Sequence, residues 1–592
     1  MVPRGPTATP TSGRRRRSTH MTTSSGTWTT TLFVSFVLAY LQRPDCSVDC
    51  FSPALTHYQT AQRYSRAFVP STRTTSARQA TTTDDLETKS SDLQKSLEAC
   101  QKDLAKTCKV KVAPTNSRRL GLVATQSIKK GDVVLAMPYD DQFVLTADLA
   151  RKTVFVDVLP EEYDSWTADT GLIALLILNE VALASGKGGS KVSRPPKVQD
   201  FMTAWVKSLP SAKEMIQQQM HPLLWSEDDQ ELLQSSSTNK IYRKLDDLEE
   251  DLQWLQENVF GKHVSRFPDK VPSIYSNEDG EMDCFNVQGF TWALALAQSR
   301  VCFVDGQLRL IPFLDMCNHN DDDAMEIEGG FMGTFGTTKG AQLVSDCSYQ
   351  EGDEVFCSYG PKSAADYLLE HGFVPDACWK TAVSELTFEL DAEKDRFYED
   401  KLDILEFETY DQAPMDPVQS FDVVSGSRSS KNALGDGEPD PAMIQFVRLC
   451  QLGGSDAFLL ESIFRKEVWG FMALPVSESN ELAVVNCITE ACQKALDDMS
   501  KVESSDDGED EDIASPKALC AKLAASETKA LTRTMEYLQR EKEALDLKEY
   551  YQERRLKDLG LDSEWSPEDD VGGDDDLGFG QTRAPGGADY DW

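Results

Sequence analysis

The sequence predicts an α+β protein in which a β-rich region is interrupted by helices and is followed by an all-α region. Three observations lead to this fold class. Short β-type runs occur at residues 109–138 and again at 299–359. Between them, about 160–297, apolar side chains follow the spacing that is typical of helices. The helical pattern returns from 381 to about 560.

The charge of the chain limits the kind of partner it can bind. The 592 residues carry a net charge of −38 and have the length of roughly two to four domains. Residues 1–82 contain ten Arg and two Asp, so their net charge is +8 and that of residues 83–592 is −46. A nucleic-acid surface needs clustered basic side chains, and this acidic body therefore excludes nucleic acid as the expected partner. A basic or neutral protein substrate is expected instead.

The cysteine spacing does not favour a metal site. None of the fourteen cysteines belongs to a C-x-x-C pair, and the nearest spacings are Cys46/Cys50 and Cys487/Cys492. A structural zinc site needs two closely spaced pairs of ligands. We therefore expect no metal, and buried reduced thiols in a reducing compartment.

Residues 1–82 have the composition of a targeting segment. The basic cluster Arg14–Arg17 precedes an apolar run, Leu32–Leu41, which is short for a bilayer span and suits a signal peptide. The next residues, 51–83, are rich in Ser, Thr and Arg and poor in acids, as in plastid transit peptides. The order is similar to the two-part targeting sequences of algae with complex plastids, which predicts a plastid protein without a stable membrane anchor. A cytoplasmic protein with a disordered N-terminal tail is the alternative.

The first structured elements are expected after residue 82. Residues 83–108 predict a helical linker, because Leu86, Leu93 and Leu97 follow helical spacing. Residues 118–124 and 128–138 alternate as strands around a Lys-Gly-Asp turn and predict a β-hairpin.

Two strand ends farther along the chain predict the site. Ser299–His319 contains two β-type runs and ends in the polar turn Asp315–His319. Forty residues later another apolar strand ends at Ser358–Gly360. Because both strands stop at residues that form hydrogen bonds, we expect a site built from loops on a rigid sheet.

Four motifs in this order resemble the SET-domain methyltransferases, in particular the branch of the plant Rubisco large-subunit lysine methyltransferases and the animal actin-histidine methyltransferases. They are Ser299-Arg300, Asp315–His319, Ser358–Gly360 and Gly372-Phe373. The resemblance implies a SET β-fold with a pseudoknot over residues 109–380, including a helical insertion, and an all-helical substrate-binding domain over 381–560. It also implies S-adenosylmethionine as cofactor and a monomer that methylates a lysine of a non-histone protein, such as the Rubisco large subunit or another plastid protein.

The same resemblance implies roles for individual residues. Tyr359 is expected to be catalytic, with its hydroxyl orienting the acceptor amine. Cofactor contacts are implied for Leu120, Gly121, Leu122, Asn318, His319, Tyr359 and Phe373. The acceptor pocket is implied to contain Ser299, Arg300, Cys302, Phe303, Asp315 and His371. Structural explanations also exist, such as cross-strand packing of Tyr359 or a salt bridge between Arg300 and Asp315.

Three positions depart from the family pattern. Arg119 stands at the first glycine of a Gly-x-Gly turn, His371 at a pocket tyrosine, and Cys302 at an expected aromatic. Two alternatives therefore stay open: methylation of histidine, and a non-catalytic binding module. Beyond the motifs, the acidic run 503–513 predicts a solvated loop and residues 561–592 a disordered acidic tail.

Overall fold

The computed structural model describes most of the chain after residue 82. The described residues are 83–100, 108–115, 119–139, 142–159, 168–190, 192–233, 236–238, 240–275, 278, 280–320, 325, 327–332, 338–360, 362–376, 382–407, 414–426, 436–503 and 515–561. They belong to one compact unit, residues 68–592. The predicted targeting segment 1–82, most of the acidic run 503–513 and residues 562–592 lie outside the described residues.

The β-rich region consists of two sheets and a small hairpin, which confirms the α+β class. One sheet has the order β1-β2-β11-β8 and the other the order β3-β10-β9, while β6 and β7 form the hairpin. The strands are β1 (Val110–Pro114), β2 (Leu120–Ala124), β3 (Val133–Pro138), β6 (Cys302–Val304), β7 (Gln307–Arg309), β8 (Asn318–His319), β9 (Ile327–Met332), β10 (Thr338–Val344) and β11 (Glu354–Cys357).

The predicted hairpin between residues 118 and 138 is wrong in its pairing. The turn exists, since Asp132 N–H donates to the Lys129 carbonyl at 3.0 Å and Gly131 has a φ of 85°. However, β2 pairs with β1 on one side and β11 on the other. With both edges of β2 occupied, β3 joins the other sheet by pairing with β10.

Helices fill the segment between the two β-regions, as expected. The helix α1 (Thr83–Cys100) precedes β1 and packs on it. The inserted helices are α2 (Ala147–Leu149), α3 (Ala168–Ser185), α4 (Pro196–Ser208), α5 (Ala212–Gln217), α6 (Glu227–Glu231), α7 (Lys240–Leu255) and α8 (Val287–Arg300). Apolar residues cover α3 on all sides, and it is therefore buried against α4 and α8. A short antiparallel pair, β4 (Lys270–Pro272) with β5 (Glu281–Asp283), lies inside this segment and was not predicted.

The C-terminal region is mostly helical, but the prediction that it is all-α is wrong. Its helices are α10 (Tyr398–Glu406), α11 (Pro441–Cys450), α12 (Val468–Phe471), α13 (Glu478–Glu503), α14 (Pro516–Glu543) and α15 (Tyr551–Asp558). An antiparallel pair, β12 (Ala382–Glu389) with β13 (Val418–Ser425), opens the region. From Leu386 to Glu389, buried and exposed side chains alternate with the period of a strand.

The helix α14 joins the β-rich and the C-terminal regions. The helix α9 (Ala364–His371) and the pair β12–β13 both pack against it. Leu519 and Leu523 of α14 belong to the hydrophobic core of the β-rich region, whereas Leu531 and Leu538 belong to the second core. Within the described residues, no helix has the length and apolarity required to cross a membrane.

A buried ion pair in the C-terminal region provides a test of its packing. Arg448 Nε and Nη2 lie 2.6 and 2.9 Å from the two carboxylate oxygens of Glu481, and both side chains are buried. We expect Glu481→Leu to lower the free energy of unfolding by about 3–5 kcal/mol, because Arg448 would lose the carboxylate that balances its buried charge. Denaturant unfolding followed by tryptophan fluorescence measures this change.

The exposed pair Lys394–Asp391 provides the control for that variant. Asp391→Asn should leave the unfolding midpoint unchanged, because solvent already screens its charge. An unchanged midpoint for Glu481→Leu as well would contradict the importance of the buried pair.

Candidate active site

A cavity of about 540 Å³ lies where β8 and β11 end. Helices α1, α5, α8 and α9 contribute to its walls. Nine of the predicted site residues line it: Leu120, Ser299, Arg300, Asp315, Asn318, His319, Tyr359, His371 and Phe373. The two distant strand ends therefore do form one site.

The parallel pairing of β8 with β11 brings the two motifs together. Asn318 lies opposite Phe356 and His319 opposite Cys357. Just beyond this pairing, Tyr359 N–H donates to His319 Nδ1 at 3.2 Å. His319 Nδ1 is therefore the acceptor in this hydrogen bond, which fixes the orientation of the ring beside Tyr359.

The hydroxyl of Tyr359 is held in a fixed direction. It donates to the Cys317 carbonyl at 2.9 Å, and burial raises the pKa of the phenol well above its usual range. Tyr359 is thus a neutral phenol whose hydrogen is committed to the backbone. Its oxygen lone pairs are the groups that the cavity wall can offer as acceptors.

Aromatic rings surround Tyr359. The ring centroids of His319 and His371 lie 5.1 and 4.7 Å from that of Tyr359. Phe373 is 6.4 Å away and meets Tyr359 edge to face. This part of the wall consists of aromatic rings, and desolvation next to them disfavours a charged ligand group.

Gly121 lies directly against two polar residues of the cavity wall, Asn318 and Glu354. Asn318 Nδ2 donates to Glu354 Oε1 at 2.7 Å, and burial raises the pKa of that carboxyl group. A Cβ atom on Gly121 would lie 2.7 Å from Glu354 Oε1 and 2.8 Å from Asn318 Nδ2. Only a residue without a side chain therefore fits here, and Gly121 allows the Asn318 amide and the Glu354 carboxyl group to pack against the strand.

Asp315 and Arg300 form a buried pair at the cavity wall. Arg300 Nη1 lies 3.0 Å from Asp315 Oδ2, and the Asp315 side chain is 0% exposed. Trp205 Nε1–H also donates to Oδ2 at 3.1 Å. Burial raises the pKa of Asp315, although Arg300 opposes the shift. The salt bridge between Arg300 and Asp315, given above as a structural explanation, therefore exists. Arg300 also lines the cavity, so both interpretations of this residue agree with the structure.

Four predicted residues do not line the cavity: Gly121, Leu122, Cys302 and Phe303. Leu122 is 0% exposed in the hydrophobic core, and Gly121 is buried next to Asn318 and Glu354. Phe303 is 72% exposed on the hairpin β6–β7, and Cys302 Sγ contacts the Arg309 carbonyl in the same hairpin. The expected acceptor-pocket roles of Cys302 and Phe303 are therefore wrong for this structure.

Several wall residues were missed by the sequence analysis. Leu86 and Lys89 of α1 line the cavity, and Lys89 Nζ lies 3.6 Å from Glu214 Oε2, across the cavity wall on α5. The apolar spacing of residues 83–108 predicted a helix but did not indicate that this helix would lie at the cavity and contact α5. Arg119, the departure from the Gly-x-Gly pattern, also lines the cavity.

The described residues contain no group of three or more His, Cys, Asp or Glu side chains that could hold a metal. The cysteines of that part of the chain are free thiols. A hydrogen bond with Cys357, followed by burial, raises the pKa of the Cys317 thiol next to the site, and this thiol therefore stays protonated at neutral pH.

The fold and site agree with two family models. Residues 119–360 match the SET domain, and residues 392–546 match the Rubisco LSMT substrate-binding domain. The chain therefore belongs to the family of Rubisco large-subunit methyltransferase-like SET-domain proteins, in which these two domains follow each other.

Particular relatives support this assignment. The chloroplastic ribulose-1,5-bisphosphate carboxylase/oxygenase large subunit N-methyltransferase of Nicotiana tabacum is 30% identical over 465 residues, which cover 76% of this chain and 83% of the tobacco protein. The chloroplastic fructose-bisphosphate aldolase-lysine N-methyltransferase of Arabidopsis thaliana is 35% identical over 321 residues, 52% of this chain and 61% of that protein. The crystal structure of the SET domain of LSMT bound to lysine and AdoHcy has a TM-score of 0.61 at 26% identity, covering 81% of this chain and 97% of that one.

Proposed function

We propose that the chain is an S-adenosylmethionine-dependent protein-lysine N-methyltransferase that acts on a plastid protein other than a histone. The observation that carries the proposal is the arrangement of Tyr359, Asn318 and His319 around one cavity, with the Tyr359 hydroxyl fixed on the Cys317 carbonyl. The named relatives are N-methyltransferases, and two of the names specify chloroplast enzymes.

The cavity can accommodate the cofactor. The absence of a side chain at Gly121 allows the Asn318 amide to keep its position at the cavity wall. Leu120, Gly121, Asn318, His319 and Phe373 would hold S-adenosylmethionine. When bound, S-adenosylmethionine would supply a methyl group from its sulfonium centre. The electron pair of the C–S bond would return to sulfur as the acceptor nitrogen forms the new N–C bond.

The protein must deliver the lysine nitrogen uncharged and in line. Neutralising a lysine near pH 7.5 costs about 4 kcal/mol, because its ordinary pKa is about 10.4. The aromatic wall around Tyr359 lowers that cost by desolvating the ammonium form. The proton leaves to solvent before transfer, and the Tyr359 oxygen then accepts an N–H of the amine and directs its lone pair.

A purified full-length chain incubated with methyl-labelled S-adenosylmethionine and a stromal protein extract tests the proposal. Rubisco and fructose-bisphosphate aldolase should be assayed separately, since relatives are named for them. We expect label on lysine in at least one protein, located by peptide mass spectrometry. Label on histidine alone would contradict the lysine assignment. Cofactor binding without transfer to any protein would leave a binding module as the correct function.

We also propose plastid targeting by residues 1–82, a monomeric enzyme, and attraction of basic-flanked lysines by the acidic body of the chain. The charge difference between residues 1–82 and 83–592 supports both the targeting and the attraction. A fluorescent protein fused after residue 82 should enter plastids, and a cytoplasmic fusion would contradict the targeting.

A further inference from the structure

A second cavity lies in the C-terminal region and shares no lining residue with the candidate active site. Its volume is about 250 Å³. Its walls come from the 3₁₀ turn Gly454–Leu460, from the residues around the start of α13, and from the start of α15. Small-molecule sites usually measure about 300–1,000 Å³, so this space suits one long side chain of a partner protein better than a whole small molecule.

Hydrogen bonds hold the walls of this cavity together. Tyr551 N–H donates to the Val476 carbonyl at 3.1 Å, and Arg554 Nη2 donates to the Pro475 carbonyl at 2.8 Å. The Tyr551 ring also packs against Phe458, with 6.3 Å between the two ring centroids. The start of α15 is therefore attached to the segment that precedes α13, and the cavity between them is preformed.

The charged side chains among the described residues of this wall are all acidic. They are Asp456, Glu478 and Glu553. Burial, followed by the carboxylates of Glu478, Glu481 and Glu553, raises the pKa of the Tyr550 phenol in the same wall. Carboxylates close enough to disfavour a phenolate make the cavity attractive to a positively charged group.

Asp456 has a carboxylate oxygen that the protein itself does not use. The residue is only 6% exposed, and its Oδ2 accepts a hydrogen bond from the Ser477 hydroxyl at 2.6 Å. Oδ1 has no hydrogen-bond partner among the described residues, and Asp456 forms no salt bridge with them. Oδ1 is also not enclosed by protein atoms, so it reaches the cavity that Asp456 lines. A carboxylate with so little access to water is normally paired with a cation.

We propose that this cavity binds a lysine or arginine side chain of the protein substrate, with its charged head on Asp456 Oδ1. The head group donates a charge-assisted hydrogen bond, and the alkyl part of the side chain packs on the rings of Phe458 and Tyr551. The net charge of −46 on residues 83–592 favours a partner with a basic surface. This inference rests on the proposed function, from which it takes the partner, and adds a contact away from the acceptor lysine.

Asp456→Asn separates the cation site from the structural role of Asp456. Ser477 Oγ accepts from Asn480 N–H at 3.1 Å at the start of α13, and the Asp456 carboxylate fixes this hydroxyl. An amide oxygen at position 456 still accepts from Ser477, whereas the negative charge is lost. Asp391→Asn is the matched control, because it removes the same charge from an exposed carboxylate that pairs with Lys394. Both variants should keep the native thermal midpoint.

The measurement is a titration of the full chain by saturation-transfer difference NMR. The probes are Nα-acetyl-argininamide, Nα-acetyl-lysinamide and Nα-acetyl-citrullinamide, the last of which has nearly the shape of the arginine probe without its charge. We expect the arginine probe to bind the native chain and Asp391→Asn equally, and Asp456→Asn at least about tenfold more weakly. The citrulline probe should not bind. Between the two basic probes, the one that loses more affinity in Asp456→Asn identifies the preferred side chain.

A kinetic measurement extends the test to the protein substrate identified in the extract. Asp456→Asn should raise KM for that protein about 5- to 10-fold relative to Asp391→Asn. Equal binding of the arginine probe to the native chain and to Asp456→Asn would overturn the cation site and leave the methyltransferase proposal intact. A native chain that binds the probes through Asp456 but transfers no methyl group would overturn the proposed function, and with it the assignment of the side chain to a substrate.

Discussion

Tyr359→Phe should reduce kcat about 100-fold while the affinity for S-adenosylhomocysteine stays close to that of the native chain. The lost oxygen is the acceptor that orients the amine, and a misplaced nitrogen of this kind costs about two orders of magnitude in rate. Stability should fall only by about 1 kcal/mol, because the Cys317 carbonyl loses one hydrogen bond. Single-turnover transfer to the substrate identified in the extract measures the rate.

Tyr367→Phe is the matched control for this variant. The Tyr367 hydroxyl also donates to a backbone carbonyl, that of Gly360, at 2.7 Å. Its ring packs behind His319 and is not part of the cavity wall. The control should lose similar stability and retain most of its activity. Equal rates for Tyr359→Phe and Tyr367→Phe would remove Tyr359 from its catalytic role.

Gly121→Ala should weaken the binding of S-adenosylhomocysteine about 10- to 100-fold. The new Cβ would lie within 2.8 Å of atoms of Thr115, Glu354 and Asn318 and would displace the Asn318 amide from its position. Overpacking of this kind costs about 1–3 kcal/mol, and about 1.4 kcal/mol corresponds to a tenfold change in affinity. Isothermal titration with S-adenosylhomocysteine measures the change directly.

Gly470→Ala controls for the effect of adding a methyl group. Gly470 lies in the short helix α12, and a Cβ there would have no atom within 4 Å. This variant should bind the cofactor as the native chain does. Native affinity in Gly121→Ala would show that the cofactor does not approach this strand.

The sequence was sufficient to predict the part of the site that lies on strand ends. Asn318 and His319 form the short strand β8, and Tyr359 lies two residues beyond the end of the apolar strand β11, so the order along the chain already indicates a site at strand ends. Cys302 and Phe303 were misplaced because a three-residue strand does not reveal which of its faces a hairpin will bury.

The contributions of α1 and Trp205 could not be predicted. They depend on contacts between residues far apart in the chain, such as Trp205 with Asp315, and no local pattern records them. The strands β12 and β13 were missed for a similar reason. The segment that separates them contains the helix α10, so neither strand has an adjacent turn to mark its partner.

The helix α14 restricts how this protein can be engineered. Because its N-terminal half is built into one core and its C-terminal half into the other, a cut near residue 380 would remove Leu519 and Leu523 from the core of the β-rich region. Lys522 Nζ also donates to the Val374 carbonyl at 3.0 Å, one residue beyond Phe373 of the cavity wall. A chimaera that takes its substrate-recognition half from a relative must therefore carry matching α9–α14 contacts, or its catalytic half will be expressed as insoluble protein.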